Sequence, residues 1–172
     1  MFLTYLKSSR LSTLFSGRIK SIILQKIVLY RDELQDKEPY MISVTAAIIQ
    51  KNGLILAARR KAGVHLAGYW EFPGGKIENG ETPEQCLQRE LMEEFSIQCE
   101  IGEFVGESIF DYGHKIIRLL GYFATHTGGT FQLTDHDDIC WLPVKELLTL
   151  QWAPADISLV NRLQDNAVIP KT

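Results

Sequence analysis

Residues 74–97 read GGKIENGETPEQCLQRELMEEFSI, from Gly74 to Ile97, and hold six glutamates, four of them between Glu84 and Glu94. Thr82, followed by Pro83 and by Gln85, has the pattern of a capping box with proline in the first turn, so a helix is predicted from Pro83 to about Phe95. At 100° per residue Leu87, Leu91 and Phe95 form an apolar stripe, while Glu90, Glu93 and Glu94 gather on a neighbouring side within about 100° of arc. Like charges at this spacing cost a helix about a few tenths of a kcal/mol per pair. Two readings account for them. One is a plain acidic surface helix, although such a face normally interleaves basic residues and here Arg89 stands alone in the last two turns. The other is a site for a hard divalent cation such as Mg²⁺ or Mn²⁺, which takes several oxygen ligands and suits carboxylates at i, i+3 and i+4 converging on one point. Pro73-Gly74-Gly75 just upstream lets the backbone approach a ligand, which makes the Gly75 carbonyl a candidate fourth oxygen.

Upstream of that stretch, Ser43–Gln50 and Leu54–Arg59 are β-branched and aliphatic runs joined by Lys51-Asn52-Gly53, where Asn-Gly supplies the positive φ of a tight hairpin turn. A loop rich in glycine and aromatic residues follows, from Gly63 to Trp70. Downstream, runs at Glu103–Phe110 and Lys115–Thr125 flank a turn at Asp111-Tyr112-Gly113-His114 and read as a second hairpin. Cys140–Leu142 reads as a short strand, Pro143 as the first residue of a helix through Leu148, and a last helix is expected near Ala155. Hairpin strands with three helical segments predict an α+β fold, a mixed sheet covered by helices.

The 172-residue chain has the length of one domain with a substantial core. Its net charge of −3 argues against a protein that coats duplex nucleic acid. Cys86, Cys99 and Cys140 form neither a CxxC pair nor a zinc-ligand spacing, which fits a reducing cytoplasm. Charge is unevenly distributed: residues 1 to 31 hold six basic residues and no acid. A basic, serine-containing arm with apolar patches has the composition of a transit peptide or a membrane-surface helix. It also reads as a simple upstream extension, since no run in it approaches the ~20 apolar residues of a spanning helix and Met41 stands directly before the first convincing strand. The chain therefore divides into a basic extension, residues 1–40, and a folded domain, residues 41–172, with no membrane partner expected.

Gly75, five residues, Glu81, seven residues, then Arg89-Glu90-Leu91-Met92-Glu93-Glu94-Phe95-Ser96-Ile97 resembles the Nudix box. Every charged position agrees, and Ser96 stands where the family carries glycine. Arg59-Arg60, the run Trp70 to Glu78 and Glu81-Thr82-Pro83-Glu84-Gln85 are similar to the MutT branch, and the likeness extends over roughly Ser43 to Leu163. The resemblance implies an α/β/α sandwich around a mixed sheet. It implies hydrolysis of a nucleoside triphosphate to the monophosphate and pyrophosphate, with 8-oxo-dGTP, (d)CTP or 5-methyl-dCTP as substrate, in a monomer or homodimer. By the same resemblance Glu90, Glu93, Glu94 and the Gly75 carbonyl hold Mg²⁺ or Mn²⁺, Arg89 orients the glutamates, and Glu81 supports them. Arg60, Phe72 and Asp156 contact substrate. Asp135, six residues before Trp141, is a further ligand or the general base, with His136, Asp137, Asp138 and Glu93 as alternatives. Asp156 stands fifteen residues after that tryptophan, where an ionised carboxylate only accepts hydrogen bonds and so favours a base with a donor edge, such as the amine of cytosine. A plain N-cap for the last helix is compatible with the same position.

Overall fold

In the computed structural model residues 40–166 are described, and the basic arm lies outside them. Strand β1 (Tyr40–Lys51) turns through Asn52 and Gly53, both with positive φ, into β2 (Leu54–Arg60), as the Asn-Gly pair requires. A two-residue strand, β3 (Trp70–Glu71), pairs antiparallel with the end of β2. Helix α1 (Pro83–Phe95) follows, then the long hairpin of β4 (Ile97–Asp111) and β5 (Lys115–Gly129), then β6 (His136–Pro143). A 3₁₀ helix (Val144–Thr149) and helix α2 (Ile157–Asn166) complete the domain. Pro143 caps the 3₁₀ helix, one residue earlier than its expected place inside it.

The sheet runs β3-β2-β1-β5-β4, with β6 on β2. It is mixed because β1 lies parallel to β5 over its whole length, Tyr40 opposite Lys115 to Gln50 opposite Thr125. The β4–β5 hairpin is longer at both ends than its sequence suggests. β4 begins immediately after Ser96 and absorbs its irregular stretch, Glu100 to Gly106, through register shifts against β5.

Thr45 to Ile49 of β1 are buried without interruption, the pattern of a strand covered on both faces. On one face Ala47, Ile49, Leu56 and Ala58 meet Leu87, Leu91 and Phe95 of α1. On the other, Ala46, Ile48, Ile55 and Ala57 meet Leu159, Val160 and Leu163 of α2, with Leu147 and Trp152. This is an α/β/α sandwich. Burying the three large apolar side chains of α1 stabilises by roughly 5 to 9 kcal/mol, far more than the repulsion within its acidic face costs. The helix is thus held by the core and is free to carry an unfavourable charge pattern. No helix among the described residues is long and apolar enough to cross a membrane.

Candidate active site

Helix α1 begins with both halves of the capping box: Gln85 N–H donates to the Thr82 hydroxyl (3.3 Å), and Thr82 N–H donates to the Gln85 side chain (2.9 Å). It ends at Ser96 with φ 56° and ψ 33°, the left-handed conformation that glycine adopts without cost. Between these ends Arg89 organises the acids. Its guanidinium donates to both oxygens of Glu81 (2.7 and 3.0 Å), to Glu90 (2.7 Å) and to Glu93 (3.2 Å). The expected orienting role of Arg89 therefore has its geometry, and the paired guanidinium, with the Glu78 N–H, holds Glu81 down to about 2. Part of the repulsion among the glutamates is offset by this one cation.

The loop ahead of α1 is stitched to β1. Ala47 N–H donates to Pro73 O (2.7 Å), Thr45 N–H to Gly75 O (2.8 Å), and Ile77 N–H to Ser43 O (3.0 Å). The Thr45 hydroxyl also donates to Gly75 O (3.2 Å), and the Cys86 thiol approaches it at 3.5 Å. A carbonyl has two lone pairs, so these donors compete with a cation for the Gly75 oxygen. Glycine is required at Gly75 for another reason: a Cβ there would overlap the Glu90 carboxylate, which rests directly on the backbone.

A cleft of about 270 Å³ opens beside this loop, and Arg60, Phe72, Gly75, Glu94 and Asp156 all line it. Five residues singled out in the sequence are brought together there. Glu90 abuts from behind Gly75, while Glu93 points outward with 59% of its side chain exposed. A larger groove, about 730 Å³, lies between β4 and α2 and contains none of them.

The carboxylates do not converge on a single point: among the described residues no three His, Cys, Asp or Glu side chains form a ready-made cation site. Arg89 draws Glu90 and Glu93 one way, and Glu94 turns toward His136. Glu94 is pushed up to about 7, mainly by burial and further by Glu90, Asp135 and Glu71, against an opposing pull from His136. Hard carboxylate oxygens in a half-buried, mutually repelling set fit a divalent cation, whose charge would replace the missing compensation.

Asp135 stands at the rim, half exposed, with Lys61 Nζ at 2.9 Å holding its pKa below the usual range. Asp137 and Asp138 are engaged by Arg59 at 2.7 and 3.6 Å. Of the acidic run it is His136 that turns inward, buried with Nε2 2.8 Å from Glu71 Oε1. Glu71 in turn accepts from Arg60 through both oxygens, each at 2.7 Å. The weight of Glu71 and His136 is not visible in their sequence neighbourhoods, since they meet across 65 positions.

Asp156 is fully enclosed, and its Oδ1 accepts from the Phe72 N–H at 2.9 Å. That contact replaces the expected N-cap bond within α2, where Val160 N–H bonds the Asp156 main-chain carbonyl at 3.0 Å. Burial, reinforced by Glu71, pushes Asp156 well above the usual carboxylate range, which favours the neutral acid. In its neutral form a carboxyl both donates and accepts, so the donor-edge argument applies to the ionised form alone.

Residues 39–163 match the model of the NUDIX domain family. The chain belongs to the Nudix family. A CTP pyrophosphohydrolase from Escherichia coli (strain K12) is 42% identical over 120 residues, covering 70% of this chain and 89% of that protein. An 8-oxo-dGTP diphosphatase from Haemophilus influenzae is 36% identical over 124 residues, covering 72% and 91%. The solution structure of the E. coli ORF135 protein superposes with a TM-score of 0.69 at 38% identity, covering 78% of this chain and 96% of that one. Sequence and fold together make this a MutT-like Nudix hydrolase, and such enzymes generally use divalent metal ions.

Proposed function

We propose that the chain hydrolyses a nucleoside triphosphate to the monophosphate and pyrophosphate with Mg²⁺, taking cytidine triphosphates as its principal substrates. The observation that carries this reading is a shared cleft: the buried Asp156 at one end and Glu94 of the glutamate face at the other line the same space. A base reader and a cation-binding carboxylate within one cleft suit a nucleotide lying between them.

Glu90, Glu93 and Glu94 would hold the cation. Pro73 and Gly75 both direct their carbonyls at β1, and alternation along an extended segment turns the intervening Gly74 carbonyl to the other side. Gly74 lines the cleft, so its oxygen is the better candidate for a main-chain ligand. A bound divalent cation supplies charge neutralisation to the triphosphate and polarises its P–O bonds. Arg60, anchored by Glu71, offers positive charge to the phosphates. Water attacks phosphorus and pyrophosphate leaves with the bonding pair. Lys61 holds Asp135 in a weakly basic state, which favours Glu93, open to water, as the group that takes the proton.

At the base end a neutral Asp156 donates its O–H to cytosine N3 and accepts from the N4 amine. The Hoogsteen edge of 8-oxoguanine, O6 beside N7–H, offers the same acceptor and donor, so 8-oxo-dGTP is the second substrate on the same observation. Unmodified guanine presents two acceptors there and is matched by one bond only.

Turnover of CTP, dCTP, 5-methyl-dCTP, 8-oxo-dGTP, dGTP and ADP-ribose with Mg²⁺, with products resolved by chromatography, tests the reading. The expected result is CMP or dCMP plus pyrophosphate at the highest kcat/KM, with dGTP poorest among the triphosphates. Release of orthophosphate, or turnover of ADP-ribose alone, overturns it.

A further inference from the structure

His136 is buried against the glutamate helix, and its geometry suits a task other than the ligand or base role weighed for it from the sequence. Its ring is fixed on three sides. Phe95 stacks on it with centroids 4.7 Å apart, Nε2 meets Glu71 at 2.8 Å, and its backbone lies opposite Arg60 across the β2–β6 pair. The other nitrogen, Nδ1, is buried without a hydrogen-bond partner, and Glu94 Oε2 stands 3.8 Å from it. The ring thus stands between two carboxylates, one facing each nitrogen, and it can engage both only by donating from both sides. A buried polar atom left unpartnered lowers stability, and here it is aimed at a carboxylate of the glutamate face.

Four elements contribute to the resulting chain of contacts: Arg60 from β2, Glu71 from β3, His136 from β6 and Glu94 from α1. Its two ends, Arg60 and Glu94, both line the cleft. We propose that His136 is a positioning residue: through Nδ1 it sets the Glu94 carboxylate for the divalent cation, and through Nε2 and Glu71 it sets Arg60 for the substrate. This rests on the hydrolytic reading of the same cleft. Residues behind metal ligands commonly govern affinity in this way, by roughly 10- to 100-fold.

The two nitrogens can be separated by substitution, because the amide of Asn lies near the Nδ1 position and that of Gln near Nε2. Mn²⁺ binding to the nucleotide-free full chain, followed by electron paramagnetic resonance, and steady-state kinetics with CTP read the two arms independently. In H136Q, which keeps the Glu71 side, Mn²⁺ affinity is expected to fall about 10-fold or more, with kcat reduced and KM retained. In H136N, which keeps the Glu94 side, Mn²⁺ affinity is expected to stay within about 3-fold of the unsubstituted chain while KM for CTP rises. Glu71→Gln leaves the ring in place, and the expected result is a raised KM with Mn²⁺ binding little changed. It supplies the test should a His136 variant not fold. Folded variants that bind Mn²⁺ as the unsubstituted chain does, or that lose both arms equally, overturn the positioning role. An unsubstituted chain that binds no Mn²⁺ overturns the hydrolytic reading itself, a different and separately visible failure.

Discussion

Glu94→Gln in the metal-free protein exposes the energetic cost of the glutamate face. Burial, assisted by Glu90, Asp135 and Glu71 and opposed by His136, pushes the Glu94 carboxyl from 4.5 to about 7. The folded state then keeps a proton that the unfolded state has released, so stability falls as pH rises from 4.5 toward 7 and stays at its lower level above. At 1.36 kcal/mol per pKa unit the displacement amounts to about 3 kcal/mol. Glutamine has the same shape and no charge to desolvate, so this penalty disappears. In EDTA at pH 8, Glu94→Gln is expected to melt roughly 6 to 12 °C above the unsubstituted protein; near pH 4.5 the two should nearly coincide. Adding Mg²⁺ should narrow or reverse the gap, because only the intact carboxylate gains from the cation. Turnover should drop by about two orders of magnitude or more. Thermal melts by circular dichroism at the two pH values, with and without Mg²⁺, provide the measurement. A variant that melts no higher than the parent at pH 8 in EDTA refutes the reasoning, since the carboxylate would then be stabilised by its surroundings.

Ser96→Gly relieves a left-handed residue at the exit of α1 and should add about 1 kcal/mol, read as a shift of the urea midpoint with unchanged slope. Gly75→Ala places a methyl where the Glu90 carboxylate rests and should abolish turnover while Mn²⁺ binding weakens, measured on protein whose cooperative melt is checked first. Asp156→Asn keeps the acceptor for the Phe72 N–H and removes an acid whose pKa is raised by burial. The unsubstituted protein should therefore lose stability relative to Asp156→Asn as pH climbs above 3.8, the gap widening until the folded-state carboxyl ionises, as followed by urea unfolding from pH 4 to pH 8.

Much of α1 was legible from its residues alone, because cap, apolar stripe, acidic face and left-handed exit are all local features. The Asn52-Gly53 turn was legible for the same reason, whereas the mixed sheet was an expectation from the element pattern and the family resemblance. The parallel pairing of β1 with β5 was not, since it joins segments some 75 positions apart and leaves no mark on either. The lengths of β4 and β5 were concealed by Gly102, Gly106 and the glutamates around them, which interrupt an alternating pattern that the bulges accommodate. Of the residues lining the cleft, Glu94 stood out by its place on the acidic face, and Arg60, Phe72 and Asp156 were singled out through the family resemblance. The hydrogen bonds of the Gly75 carbonyl were hidden because its partner, Thr45, lies thirty positions earlier. The burial that raises the Asp156 pKa was hidden because enclosure is a property of the packed molecule. Glu71 and His136 were overlooked as a pair because only the fold brings them to 2.8 Å.

The segment from Phe72 to Gly75 carries both ends of the cleft. The N–H of Phe72 is bonded to Asp156, and Gly75 lies against Glu90. A chain spans at most roughly 3.3 to 3.6 Å per residue, so covalent geometry alone keeps these two anchor points within roughly 10 Å of each other. β1 clamps the stretch between them and leaves it no slack. A displacement at either anchor is therefore passed along the backbone to the other, so the base side and the carboxylate side of the cleft are mechanically coupled.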